Sequence, residues 1–326
     1  MKAAPSFSWQ GAPVPQTGHA LPQTDPETNE RAGAVMSKFS KIVVPNPLQD
    51  NIVSPVLTLV QSSRLQPVGI PKRGARLSQL SQVGKSKTTE MILEKMREEA
   101  FRAGKPYNPH AVLYVELKGS STIKMILVRL LRELGDPHPD KGNFEDLMER
   151  LRRLVIARQV ELLIIDEVQV LAKKSTNQII ITDELRGFLN AGLFPIFFIG
   201  DERSKEFFES NEKLAARLGS PLELNPIQKI SQSRMAKEFC FRFDVALVEK
   251  GCMPQLSNLS SAAILNPLID ASGGHIGRIS RIIENALEHA VRRHAEFIEP
   301  YDLYTTVETY SLPMRYSRTN PFYIGG

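Results

Sequence analysis

Two adjacent carboxylates, Asp166 and Glu167, end the apolar run Leu163-Ile164-Ile165, and the chain then continues through Val168 and the polar Gln169. A buried strand that finishes in two acids can place one carboxylate on a divalent cation and leave the next to orient a water. That division suits phosphoryl transfer, where catalysis is mostly positioning and charge neutralisation. Upstream, Gly84-Lys85-Ser86 opens a helix-patterned stretch and matches the end of a G-x-x-x-x-G-K-[ST] loop. In such a turn backbone N–H groups and the positive helix end cradle phosphate oxygens, the lysine reaches the terminal phosphates and the serine hydroxyl can ligate Mg²⁺. Val83, Gly84, Lys85, Ser86, Lys87 and Asp166 are therefore candidates for holding ATP, Ser86 and Asp166 for holding Mg²⁺, and Glu167 for catalysis. Each half has a plainer alternative. The first is a basic helix start with Lys85 and Lys87 solvated, the second a strand ending in a solvated acidic turn. Gln79 stands where the loop's leading glycine would fall, which disfavours close approach of the backbone to phosphate.

The elements that must position these residues alternate. The segments 111–117 (AVLYVEL), 160–166 (VELLIID) and 193–200 (LFPIFFIG) are short and rich in branched or aromatic residues, as buried strands are, and a more polar ARLS precedes the phosphate turn. Helical spacing of apolar residues marks 46–63, 86–103, 121–134, 143–158 and 178–190. This predicts an α/β domain with a parallel sheet covered by helices on both faces, binding ligand at the carboxyl ends of its strands. Beyond Pro226 strand patterns cease, and helices are expected near 231–250, 258–271, 276–294 and 299–309. The expected organisation is a flexible arm (1–38), a nucleotide-binding α/β domain (39–226), a helical lid (227–310) and an extended tail (311–326). The tail keeps Tyr316, Phe322 and Tyr323, and both ends are expected to bind partners.

Composition narrows the class. With 42% hydrophobic and 24% charged residues the chain falls in the ordinary globular range, and no apolar run approaches the roughly 18 to 20 residues of a membrane span. The proline- and glutamine-rich start lacks the apolar centre of a signal peptide, so a cytoplasmic, bacterial, nucleoid-associated location is expected. Cys240 and Cys252 are too few and too far apart for a zinc site or a disulfide framework. A formal charge of +5 points toward an anionic partner.

The motifs GKSKTTEMILEKM, LLIIDEVQVL, FFIGDERS, KLAARLGSPLELNP and SGGHIGRISRIIENALEHA, in that order, resemble the TniB/TnsC family of AAA+ transposition helper ATPases over roughly residues 40–310. The resemblance implies an AAA+ parallel sheet sandwiched by helices and followed by a small all-helical lid. It assigns Arg217 to a finger that reaches a neighbouring subunit's nucleotide, and Arg278 to a lid arginine that senses phosphates. The plainer alternatives are a solvated helix-end cation and a structural cap. Asp201 departs from the Thr or Asn that the family commonly carries after the fourth strand's glycine, and an acid there repels phosphate unless Mg²⁺ or Arg203 offsets it.

The same resemblance implies an ATP-dependent ring or filament of identical subunits on duplex DNA, contacting phosphates without reading sequence. Lys118, Lys124, Lys141 and Asn143 fall in the matching segment, a solvated basic face being the alternative. A transposase and a target-selection protein are the further partners it implies. A poorly hydrolysing ATP-binding scaffold, a replication-initiator or clamp-loader-like helper and a defence NTPase stay open beside it.

Overall fold

The computed structural model describes residues 25–44, 46–79, 84–118, 122–172 and 178–322. Asp25 opens the first helix, α1 (Pro26–Phe39): its Oδ1 accepts the Thr28 N–H at 2.8 Å, and Pro26 takes the first helical position, where no N–H is needed. Residues 26–38 of the segment expected as a flexible arm to residue 38 are thus helical. The composition of the first thirty residues concealed a cap followed by a helix-forming run. There follow α2 (Pro47–Arg64), β1 (Gly74–Ser78), α3 (Lys85–Arg102), β2 (Val112–Glu116), α4 (Ile123–Glu133) and α5 (Phe144–Arg158). Next come β3 (Leu162–Asp166), a 3-10 turn (Val168–Ala172), α6 (Gln178–Asn190), β4 (Ile196–Gly200), α7 (Arg203–Glu209) and α8 (Glu212–Leu218). The last elements are α9 (Lys229–Glu249), α10 (Ala262–Ala271), α11 (Ile276–Arg292) and α12 (Pro300–Thr306), which runs into a π-helical turn (Val307–Ser311). Packing gathers α2 to α8 with the sheet into one unit, and α1 with α9 to α12 into another.

In the α/β unit all strands are parallel, in the order β1-β4-β3-β2. Leu222 adds one further parallel bridge to Leu77 on the outer side of β1, its N–H donating to the Arg76 carbonyl at 2.9 Å. Register sets Ser78 opposite Gly200 and Glu116 opposite Asp166, so the strand ends share one edge of the sheet. Central strands β3 and β4 are buried at every position, as apolar runs without alternation require. β1 is buried throughout despite its polar sequence: the Arg76 guanidinium lies 5.5 Å from the Phe208 ring centre, and the Ser78 and Ser204 hydroxyls bond at 2.6 Å. The amphipathic α4 buries Ile123, Ile126, Leu127, Leu130 and Leu131 at helical spacing. Helices α7 and α8, too short to announce themselves by periodicity, are fixed by buried Phe207, Phe208, Leu214 and Leu218 and by the Asn211 side chain, which accepts the Leu214 N–H at 3.0 Å.

In the helical unit α1 packs along α11, where Arg31 donates to the Val291 carbonyl at 2.6 Å and Arg292 to Asn29 Oδ1 at 2.9 Å. Helix α10 begins at Ala262 rather than near 258, because Asn258 takes a left-handed φ of 55° before it. The tail is not extended over its described part. Asn320 Nδ2 donates to the Tyr304 carbonyl at 3.1 Å and to Glu308 at 2.9 Å, and its Oδ1 accepts the Phe322 N–H at 3.0 Å. Phe322 is buried, which gives this aromatic-bearing segment its reason to fold back; Tyr323 lies outside the described residues. Both cysteines are free and buried, and burial pushes the Cys240 thiol up to about 12. No described helix is long and apolar enough to cross a membrane.

Candidate nucleotide-binding site

Chain geometry at the edge of the sheet starts with Gly84, whose φ of 107° is a conformation that side-chain-bearing residues rarely adopt. Lys85, immediately after it, is the first residue of α3, so its ammonium lies at the helix end that carries the unsatisfied N–H groups. Its Nζ donates to the carbonyls of Gln79 and Gly200, each at 3.2 Å. Desolvation lowers the affinity of this amine for its proton, and the negative charges of Asp166, Glu167 and Asp201 work in the opposite direction. Ser86 is exposed on the first turn of α3. Lys87 pairs with Glu90 at 2.6 Å along the helix surface, an ordinary i,i+3 contact. Val83 lies outside the described residues.

Asp166 closes β3 and is 9% exposed. Its Oδ2 accepts the Tyr114 hydroxyl at 2.8 Å, and its Oδ1 accepts the Glu167 N–H at 2.7 Å. Glu167 adopts a left-handed φ of 60°, a strained setting for a residue with a Cβ, which re-aims the chain as the strand ends. Its carboxylate accepts from Gln169 Nε2, while Gln169 Oε1 accepts the Asp201 N–H at 3.0 Å. The Asp201 carboxylate is taken by Arg203, which donates through Nε at 2.8 Å and through its backbone N–H at 2.9 Å. The acid at 201 is thus offset by the arginine two residues on. Tyr114 and Gln169 are site residues that the sequence did not single out. Gln169 lies within the same stretch as the acids, but its reach to β4 depends on strand order, and Tyr114 meets Asp166 only through the pairing of β2 with β3.

The other singled-out residues lie elsewhere. Arg217 sits half-buried in the last turn of α8, with no hydrogen bond or ion pair among the described residues. Arg278, in the helical unit, is buried on the first turn of α11; its guanidinium lies 4.0 Å from the Tyr316 ring centre and donates to the Ser272 carbonyl at 3.4 Å. Lys118 pairs with Glu116 at 3.3 Å. Lys124 Nζ donates to the Gly142 carbonyl at 3.4 Å, which brings Lys124 beside the turn that holds Lys141 and Asn143. The Asn143 side chain is committed to capping α5, accepting the Asp146 N–H at 2.9 Å in a reciprocal capping box.

A parallel sheet of this order, with a helix-opening lysine after β1 and adjacent acids closing β3, is the AAA+ fold. Residues 80–208 match the family model described as an AAA domain. Among solved structures the chain is similar to the ORC2 protein of Aeropyrum pernix in its ADPNP–ADP complexes, at 13% identity and a TM-score of 0.58 over 83% of this chain and 71% of that one. Cdc6p of Pyrobaculum aerophilum aligns at 15% identity and a TM-score of 0.58, over 84% and 70% of the two chains. ORC1 of A. pernix, solved in complex with DNA, aligns at 15% and 0.55, over 82% and 66%. The chain therefore spans about two thirds of the length of that last protein. No curated protein sequence matches.

Proposed function

We propose that this protein is an ATP-dependent, DNA-binding regulator of DNA transposition, which oligomerises on duplex DNA and recruits or activates a transposase at the target site. The observation that carries the nucleotide half is the part-buried Lys85 ammonium, bonded to neutral carbonyls at the strand ends and facing Asp166 and Glu167. ATP with Mg²⁺ fits these residues. Gly84, Lys85 and the N–H groups at the start of α3 would hold phosphate oxygens, while Ser86 and Asp166 would hold the cation. Among the described residues no three His, Cys, Asp or Glu side chains are placed to hold a metal ion by themselves, and Mg²⁺ held by one or two carboxylates together with phosphates needs no such cluster. Bound Mg²⁺ supplies charge neutralisation, and Glu167 would orient the attacking water.

The DNA half is supported by the resemblance to TniB/TnsC proteins and by the closeness of Lys124 to the 141–143 turn. Weak phosphate contacts repeated along an assembly give strong, salt-sensitive binding with little sequence preference. Calorimetric titration with MgATP is the test. Lys85→Ala should weaken binding by about tenfold or more, the scale of one charge-assisted contact, and Glu167→Gln should bind while losing turnover. A wild-type protein that binds no nucleotide discards the reading. The likeness in fold to archaeal ORC2 and Cdc6p favours a replication-initiator-like role as the second reading. Stimulation of strand transfer by a cognate transposase separates the two.

A further inference from the structure

We propose that Gln169 is a positioning residue for Glu167, tying it to the same peptide group on which Lys85 rests; this deepens, and rests on, the reading of Lys85 and Glu167 given above. The Gly200–Asp201 peptide is engaged at both ends. Its carbonyl accepts from Lys85 Nζ at 3.2 Å and from the Gln79 N–H at 3.1 Å. Its N–H donates to Gln169 Oε1 at 3.0 Å, and the other end of that amide donates to the Glu167 carboxylate. The amide orientation is fixed by chemistry, since the reverse would set an NH₂ against an N–H and a carbonyl against a carboxylate. Close approach is possible because residue 200 is glycine: a Cβ there would stand 3.1 Å from Gln169 Oε1 and 2.6 Å from Ser204 Oγ.

Hydrogen bonds at the two ends of one peptide polarise it and strengthen each other, more so where water is excluded. Gln169 is 9% exposed. When Lys85 leaves the Gly200 carbonyl for a phosphate, the Asp201 N–H becomes a weaker donor and the grip of Gln169 on Glu167 loosens. Capture of phosphate thereby gives the water-orienting carboxylate room to adjust toward its water while Gln169 still sets its direction.

Two full-length variants separate the halves of the clamp. Gln169→Glu keeps the acceptor for Asp201 and loses the donor to Glu167, whereas Gln169→Leu loses both. With melting temperatures checked against wild type, hydrogen exchange at the Asp201 amide should accelerate by about tenfold or more in Gln169→Leu and stay protected in Gln169→Glu. Adding MgATP should speed exchange at that amide in the wild type and leave Gln169→Leu unchanged. Steady-state kinetics should show kcat reduced by about tenfold or more in both variants with nucleotide Kd held within about threefold, the split expected of a group that orients rather than binds. Asp201 exchange in Gln169→Leu indistinguishable from wild type, or full kcat in both variants, overturns the proposal. If the wild type binds MgATP without turning it over, hydrolysis is lost from the functional reading while the exchange data still decide the clamp. If it binds no nucleotide, exchange in the nucleotide-free protein decides it.

Discussion

At the scale of single residues, the contact between Tyr114 and Asp166 sets a competition. The phenol reaches across from the neighbouring strand to the acid assigned to Mg²⁺, and desolvation together with Asp166 holds the phenol proton well above its usual range, so the group is a standing donor. A cation drawn to Asp166 must share or displace that donor. Tyr114→Phe should therefore lower the Mg²⁺ concentration needed for half-maximal ATP binding by about two- to tenfold, the low end of a hydrogen bond to a charged group, because Tyr114 is 47% exposed. Titrating Mg²⁺ at fixed nucleotide checks this, and an unchanged or raised midpoint would mean that the phenol orients the carboxylate instead of competing for it.

At the scale of elements, the turn before α5 separates two uses of neighbouring polar residues. Asn143 closes a capping box, so Asn143→Ala should cost about 0.5–2 kcal/mol of stability and leave the salt dependence of DNA binding unchanged. Lys141 is exposed, and Lys141→Ala should leave stability alone while reducing the slope of log affinity against log salt by about one per subunit. The start of α11 has its own signature. His275 precedes it, and burial, with Arg278 second, pushes the imidazole down to about 4. A histidine whose folded pKa lies below its unfolded value near 6.5 takes up a proton more readily when unfolded. Stability is therefore lost as pH falls from about 6.5 to 4, by about 1–3 kcal/mol. His275→Asn should flatten that loss in urea melts at pH 7 and pH 5. Strand and helix positions such as LLIID, IFFIG and the 178–190 helix were legible because burial on both faces or at helical spacing leaves its mark on residue choice. Helix α1, the short α7 and α8 and the folded tail were not, because caps, single aromatics and neighbours distant in sequence decide them. The site divided in the same way. Lys85, Asp166 and Glu167 carry their chemistry in local order, whereas Tyr114 and Gln169 act across strands whose order no local pattern states.

At the scale of the whole molecule, Arg217 bears on whether activity belongs to one chain or to an assembly. It lies half-buried at the end of α8 with no ion pair or hydrogen bond among the described residues, and its guanidinium nitrogens are not among the buried unpartnered ones, which leaves them open to a second surface. If that surface is the nucleotide site of a neighbouring subunit, two inactive variants should rescue each other. Arg217→Ala keeps Lys85 and Glu167, while Glu167→Gln keeps its arginine. In a random equimolar mixture about a quarter of interfaces unite an intact site with an intact arginine from the next chain, so ATP turnover should return to about a quarter of the wild-type rate per subunit. Each variant by itself should stay near background at every concentration, and wild-type turnover per subunit should rise with protein and DNA concentration as assemblies form. An arginine acting within its own chain gives no recovery on mixing, because each inactive chain carries its own defect into every site it forms. Dilution after mixing completes the argument, since activity built across subunits should fall with the population of assemblies, read in parallel by light scattering.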